Sequence, residues 1–352
     1  MTAEKVLQDN QRTRRKERTV MIVLVVLLAG VVLVSFTVGR YGVPLGQLFE
    51  ILWHRISGQG VAEANKEADL VLFVIRMPRV LLTVMVGAAL SASGAAFQGL
   101  FKNPMVSPDI LGVSSASGAG AALAILLGFA SIFVNLTAFL FGVRAVLLVM
   151  FLAKAIGRGS GNILVMVLSG VVVSSLFKAL TSLAKYVADA DNKLPEITFW
   201  LMGSFAKSGS VRNVLIMLIA LVVGAVPLLL TRRRMNIMSF GDDEAKAMGI
   251  NVPRMRTMIV ACATLLTAIS VCLCGSIEWV GLIMPHVTRL IVGPNYRILL
   301  PASMLGGAIF MVVVDNFCRV IIPGELPVGV VTSLIGAPLF IYLLFRGRRD
   351  WS

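Results

Sequence analysis

The chain has 352 residues, 57% of them hydrophobic and only 14% charged, with a formal net charge of +14. A soluble domain carries roughly 25% charged residues, so composition excludes an ordinary globular enzyme and describes a chain that lies mostly in lipid. The basic excess falls in short connections and tails rather than on a face interleaved with aromatics, which fits positive charge kept on the cytoplasmic side and excludes a nucleic-acid partner.

Residues 1–18, "MTAEKVLQDNQRTRRKER", are polar and basic and form an expected cytoplasmic tail. Residues 19–38 are uncharged and long enough, at about 20 residues, to cross a hydrocarbon core of roughly 30 Å. They are longer than a signal-peptide apolar region and lack a small-residue cleavage site, so they are read as a retained first span. "PLGQLFEILWHRI" follows, with Leu45, Leu48, Ile51 and Leu52 at helical spacing. That pattern predicts a helix lying on the outer membrane surface.

Further apolar tracts bring the expected spans to ten: 19–38, 79–100, 109–128, 132–156, 163–187, 211–231, 257–275, 278–292, 298–320 and 325–346. The membrane domain therefore covers 19–346, and 347–352 form a second cytoplasmic tail. With the amino terminus inside, most of the 32 Lys and Arg residues fall on the cytoplasmic side, as the positive-inside rule requires. The outer segment "DADNKLPEITFWLMGSFAKSGS" is the second connection on that side long enough to fold.

The tracts are rich in Gly, Ala and Ser, as in "VGAALSASGAAFQG", which predicts closely packed helices. "LLTVMVGAALSASGAAFQGLFKNP" and "LLTAISVCLCGSIEWVGLIMP" echo each other and enter the membrane from opposite sides. This is the arrangement of inverted repeats in transporters.

Soluble-enzyme chemistry is missing. There is no Gly-Lys dipeptide and hence no P-loop, and the two histidines form neither an HExxH motif nor a triad. The four cysteines lie in apolar tracts without metal-ligand spacing, so no metal site is expected.

Four stretches carry a resemblance: 76–120 beginning "RMPRVLLTVMVGAALS", "GDDEAKAMGI" (241–250), "GSIEWVGLIMPHVTRLIVGPNYRILLP" (275–301) and "ELPVGVVTSLIGAPLFIYLL" (325–344). They resemble the FecCD permease subunits of type II ABC importers, which include iron–siderophore, haem and vitamin B12 permeases. The resemblance implies an all-α membrane protein, a ten-span helical bundle with inverted repeats, working as a homodimer. It also implies two cytoplasmic ATPase subunits that bind the ATP and Mg, and an extracytoplasmic solute-binding protein. No cofactor belongs to this chain, and the expected location is the cell (inner) membrane with both termini cytoplasmic.

The resemblance assigns roles residue by residue. Within the coupling segment 237–254, Asp242, Asp243, Glu244, Ala245, Lys246, Ala247, Met248 and Gly249 would meet the ATPases. The acidic residues suit a helix amino terminus, Gly249 suits a left-handed stop, and Pro253 can begin the next helix. Ala245, Ala247 and Met248 are expected to form a compact surface. Arg76, Arg79 and Arg319 would dock the binding protein through its glutamates, against the rival reading of an i to i+4 pair between Asp315 and Arg319.

By the same resemblance Asn103, Pro104 and Met105 form the expected cytoplasmic gate, with Ser160 and Asn162 as its counterpart in the next cytoplasmic connection, where a plain turn is an equal reading. Ser169, Ser174, Ser175, Thr332 and Ser333 are expected along the pathway, although each hydroxyl can equally bond back to its own helix. His286 and Arg289 are expected to be structural. Arg144, midway along its tract, is expected to be buried with a partner or a wet cavity.

The expected cargo is an iron chelate, a siderophore or haem, with a cobalamin-type corrinoid or a molybdate-like oxyanion as the alternative. An ion-coupled secondary transporter would need acidic residues deep in the spans, and a membrane enzyme would need clustered catalytic groups.

Overall fold

A computed structural model describes residues 3–39, 41–58, 62–157, 163–206, 208–322 and 324–347. Fourteen α-helices are found among them, and no strand. Seven helical stretches are long and apolar enough to cross a membrane: 15–37, 63–100, 131–156, 163–187, 211–238, 252–274 and 296–320. Three shorter apolar helices cover 113–126, 280–292 and 328–343. Each lies on one of the ten apolar tracts.

Helix α1 (Ala3–Thr37) begins well before its apolar tract and runs through the basic segment. α2 (Leu45–Ile56) forms where the helical spacing predicted it. Its Leu48 and Ile51 are buried against Val43, Ala68 and Leu72, so this face packs on protein. Phe49, Trp53 and Ile56 stay exposed on the other side.

The second apolar tract is part of a much longer helical stretch than expected. α3 (Lys66–Leu70) passes through a π-helical turn (Val71–Arg76) into α4 (Met77–Leu100). Pro78 accounts for the turn: it has no N–H to continue the ladder, and a wider turn before it relieves its ring from the preceding carbonyls.

The remaining elements are α5 (Val113–Leu126), α6 (Ser131–Ile156), α7 (Ile163–Val187), α8 (Lys193–Met202) and α9 (Val211–Met238). They are followed by α10 (Asp242–Ala247), α11 (Val252–Cys274), α12 (Val280–Val292), α13 (Tyr296–Val320) and α14 (Val328–Gly347). α8 folds from the "KLPEITFWLM" part of the second long connection. α9 continues to Met238, so the segment expected from 237 starts two residues later.

α4 is the central helix, packed on α9, α11, α12 and α13. Its small residues explain how it sits among so many neighbours. A Cβ on Gly94 would overlap the carbonyl oxygen of Gly281, and one on Gly87 would overlap that of Gly307. Nineteen of its residues are buried, among them Phe97 and Leu82 with no exposure. With no hydrophobic force between helices in lipid, such close approach is what holds a bundle together.

The paired segments of the sequence echo differ in structure. The first stays helical to Leu100, whereas the second breaks at 275–279 between α11 and α12. Gly275 (φ 74°) and Trp279 (φ 70°) turn the chain at the two ends of the break. Trp279 pays a steric cost there that a glycine would not. Its ring is held edge-on to Phe340 of α14 at 6.0 Å.

Gly94→Ala is expected to lower stability by about 1–3 kcal/mol through overpacking, read as a reduced Tm in detergent. Gly30→Ala, inside α1 where a Cβ meets nothing within 4 Å, should not lower Tm, since alanine is the better helix former.

Candidate functional site

Three regions hold the residues singled out by the sequence: one at each end of the bundle and one in its middle.

At the Arg79 end, a buried charge cluster joins α4, α13 and the connection to α14. The Arg79 guanidinium donates to Asp315 at 2.8 Å and to Glu325 at 2.9 and 3.1 Å. Arg319 pairs with the other face of Asp315 at 3.2 Å, the i to i+4 contact that the sequence offered as a rival. Arg319 also donates to Ser35 of α1 and to Asn316. Arg76 donates to the backbone carbonyls of Phe36 and Tyr41, tying down the connection after α1.

Asp315 is 1% exposed, and the three arginines 5–7%. Buried charges of this kind persist only when paired and hydrogen-bonded. Glu325, which has a left-handed φ of 56°, is held in that conformation by the Arg79 fork. Any docking through these arginines therefore has to compete with partners inside the fold.

At the opposite end, α10 is a short helix set off by Gly241 and ended by Gly249 with φ 79°. α11 then starts at Val252, where Asn251 accepts from the Arg254 N–H at 3.1 Å and Pro253 occupies the first turn. Asp242 pairs with Arg256 at 2.8 Å and lies 3.9 Å from Lys102. Asp243 pairs with Lys246 at 3.0 Å.

Ala245 is fully buried, which corrects its place in the expected contact surface. The face of α10 turned away from the bundle carries Asp243, Glu244, Lys246, Ala247, Met248 and Gly249 instead. Phe240, 78% exposed, lies beside it.

Lys102, at φ 51°, leads from α4 into the turn at Asn103, Pro104 and Met105. The Asn103 Oδ1 accepts from the Met105 N–H at 2.9 Å, so the expected turn forms and Met105 is left 41% exposed. Ser160 and Asn162 lie outside the described residues. Nearby, Arg289 donates to Gln98 and to the Tyr296 hydroxyl, each at 3.3 Å. This is a structural tie between α4, α12 and α13.

In the middle, the chain from 106 to 112 climbs back beside α4. Pro108 touches Gly281, and the carbonyl of Ile110 meets Gly170 of α7. Asp109 caps α5, accepting from the Ser114 N–H at 2.6 Å and the Ser115 hydroxyl at 3.3 Å.

The expected pathway hydroxyls divide. Ser175, Thr332 and Ser333 donate to carbonyls of their own helices at 2.9, 3.0 and 2.8 Å. Ser169 is buried, and Ser174 packs against Gly112. Ser333 also borders a cavity of about 350 Å³ with Met202, Ser276, Glu278, Gly329 and Leu334. Glu278 and Asp109 were missed as site candidates. The break itself falls where the sequence separated the spans 257–275 and 278–292, but nothing local marked Glu278 as facing a cavity. Arg144 is exposed on α6, which corrects the expectation that it is buried.

The FecCD transport family profile matches residues 24–346. The molybdate import system permease of Haemophilus influenzae is 38% identical over 326 residues, covering 93% of this chain and 95% of its own. A probable iron chelatin transport system permease of Helicobacter pylori is 39% identical over 286 residues, covering 81% and 86%. Among solved structures, an inward-facing transporter assigned to the metal-chelate ABC type superposes with a TM-score of 0.80 at 36% identity, covering 94% of this chain and 99% of that one.

Arg79→Met should cost about 3–5 kcal/mol by leaving the buried Asp315 with Arg319 alone and Glu325 without its guanidinium. Adding Asp315→Asn should restore part of the lost Tm, so a double-mutant cycle in detergent measures the coupling.

Proposed function

Since this chain belongs to the FecCD transport family, we propose that it forms one half of a homodimeric permease that moves an iron chelate, a siderophore or haem, inward across the cell (inner) membrane. It is a permease subunit of an ABC importer, and ATP hydrolysis lies in a separate subunit.

The observation that carries the reading is the exposed edge of α10 at the more basic end of the bundle. Arg232, Arg233, Arg234, Arg254 and Arg297 lie on the elements that meet at this end, and the positive-inside rule makes it cytoplasmic, together with both termini. α10 offers Asp243, Glu244, Met248 and Gly249 to a partner ATPase without unfolding anything. Asp242 links that edge to Lys102, beside the turn at Asn103, Pro104 and Met105. Motion of α10 is in this way transmitted to the gate.

The solute-binding protein docks at the other end, over Arg76, Arg79 and Arg319. Its carboxylates reach Arg79 by exchange with Glu325, whose side chain is the more exposed partner of Arg79 at 26%. Cargo then passes between the two copies along α7 and α14, past Ser169, Ser174, Ser175, Thr332 and Ser333. A molybdate-like oxyanion or a corrinoid is the second reading, favoured by the likeness to the molybdate permease.

Co-purification of the permease with its ATPase tests the first contact. Gly249→Asp, which places a charged side chain on a left-handed residue of the exposed edge, and Met248→Asp should each weaken association about tenfold or more while Tm changes little. Unchanged association in both would overturn the α10 assignment. Arg76→Glu should lower affinity for the binding protein, with the loss shrinking as salt rises. Equal affinity at low salt would remove Arg76 from the docking surface.

A further inference from the structure

Glu278 has no role in the reading above, and its position calls for one. It lies in the break between α11 and α12. One turn further on, a Cβ at Gly281 would lie 2.6 Å from the carbonyl oxygen of Leu90, halfway along α4. The break is therefore at mid-depth in the bundle.

Glu278 borders two cavities at once. One, of about 350 Å³, reaches toward α8 and the start of α14. The other, of about 260 Å³, is lined by Asp109, Lys178, Ser107 and Trp279. Among the lining residues, Glu278 is the only charged one common to both.

The three charges differ in how they are met. Asp109 is held by the amino terminus of α5 through Ser114 and Ser115, and Lys178 supplies one positive charge across the same cavity. The Glu278 carboxylate makes no hydrogen bond or ion pair with any described residue, and it is exposed to the cavities. A charged side chain at this depth is costly to keep, and such residues mark the routes of substrates and ions.

We propose that Glu278 sets the charge of the cargo this pathway accepts, passing neutral or cationic metal chelates and turning back bare oxyanions. The inference rests on reading the two cavities as the cargo route, and it narrows that reading to one substrate class. With two carboxylates and one ammonium, the lining of each chain is net negative. A dianion beside it meets repulsion that the surroundings, less polarisable than water, screen poorly. A chelate that wraps its metal in neutral or positively charged groups meets none, and its N–H or ammonium groups can donate to the free carboxylate.

The test uses the complete importer, permease with its ATPases and binding protein, in proteoliposomes. ATP-dependent uptake is measured for ferric trihydroxamate chelates of net charge +1, 0 and −1 and for molybdate, each normalised to its affinity for the binding protein. Wild type should favour the +1 and neutral chelates and leave molybdate at background. Glu278→Gln should raise the −1 to +1 uptake ratio about tenfold, and Glu278→Lys should reverse the order. Glu196→Gln, on exposed α8, should change neither, and the Tm of each variant reports that it is folded.

Molybdate uptake by wild type above that of the three chelates overturns the inference, as does an unchanged charge order in both folded Glu278 variants. ATP-dependent uptake of none of the four overturns the chelate-importer reading and this inference with it, whereas the other two outcomes leave the importer standing.

Discussion

The backbone of a helix break in the middle of a membrane bundle must be enclosed by protein or water, because lipid offers no partner for its amides. In this chain the enclosure is made by α4. Its run of Gly, Ala and Ser lets the carbonyls of Gly281 and Gly307 come against it where larger side chains would hold them away. Ser93 shows the polar side of the same packing, bonding the Ala263 carbonyl at 3.0 Å and the Thr267 hydroxyl at 2.8 Å. With that wall in place, the 275–279 break and the climbing segment 106–112 can lie at mid-depth. Both cavities border the break, so they too depend on α4.

Charge is distributed around this wall in three different states. At the Arg79 end, carboxylates and guanidiniums are buried and mutually satisfied, which fixes α4 against α13 and the start of α14. At the α10 end, ion pairs such as Asp243 with Lys246 are exposed and contribute little to stability. In the middle, Glu278 is neither buried against a partner nor out in bulk solvent. Stability argues for the first arrangement and is indifferent to the second, and the third is the one that only function explains.

The sequence made the apolar tracts, the helix at Leu45, the left-handed stop at Gly249 and the turn at Asn103 legible, because each rests on a local rule of length, spacing or backbone conformation. It did not reveal the helical run from 63 to 100, since the π turn before Pro78 keeps a helix going where proline ordinarily marks its start. Ala245 read as surface because a six-residue helix is too short for periodicity to say which face is buried. The fate of Arg79 was hidden for another reason: its partners Asp315 and Glu325 lie 236 and 246 residues away. Only the i to i+4 partner of Arg319 could be seen from spacing. Arg144 looked buried because its tract is apolar on every side, a pattern that a lipid-facing helix shares with a core helix.

The Arg79 cluster also bears on how the two ends of the bundle communicate. Asp315 is on α13 and Glu325 on the connection to α14, so one guanidinium fixes α4 relative to both. Trp279, beside the cavities, touches α14 through Phe340, and a Cβ on Gly336 of α14 would lie 2.6 Å from that of Trp279. A shift of α14 at its Glu325 end is therefore felt at the break that carries Glu278. α12 leads from the break to Arg289, which holds Gln98 near the end of α4, four residues before Lys102. From Lys102 the 3.9 Å contact to Asp242 reaches α10. Contacts thus run unbroken from the buried cluster to α10, and the step most open to solvent is the last, since Lys102 and Asp242 have side chains 36% and 38% exposed. That is the contact with least to lose by breaking, so the link from α10 to the turn at Asn103 can be made and released at the smallest cost.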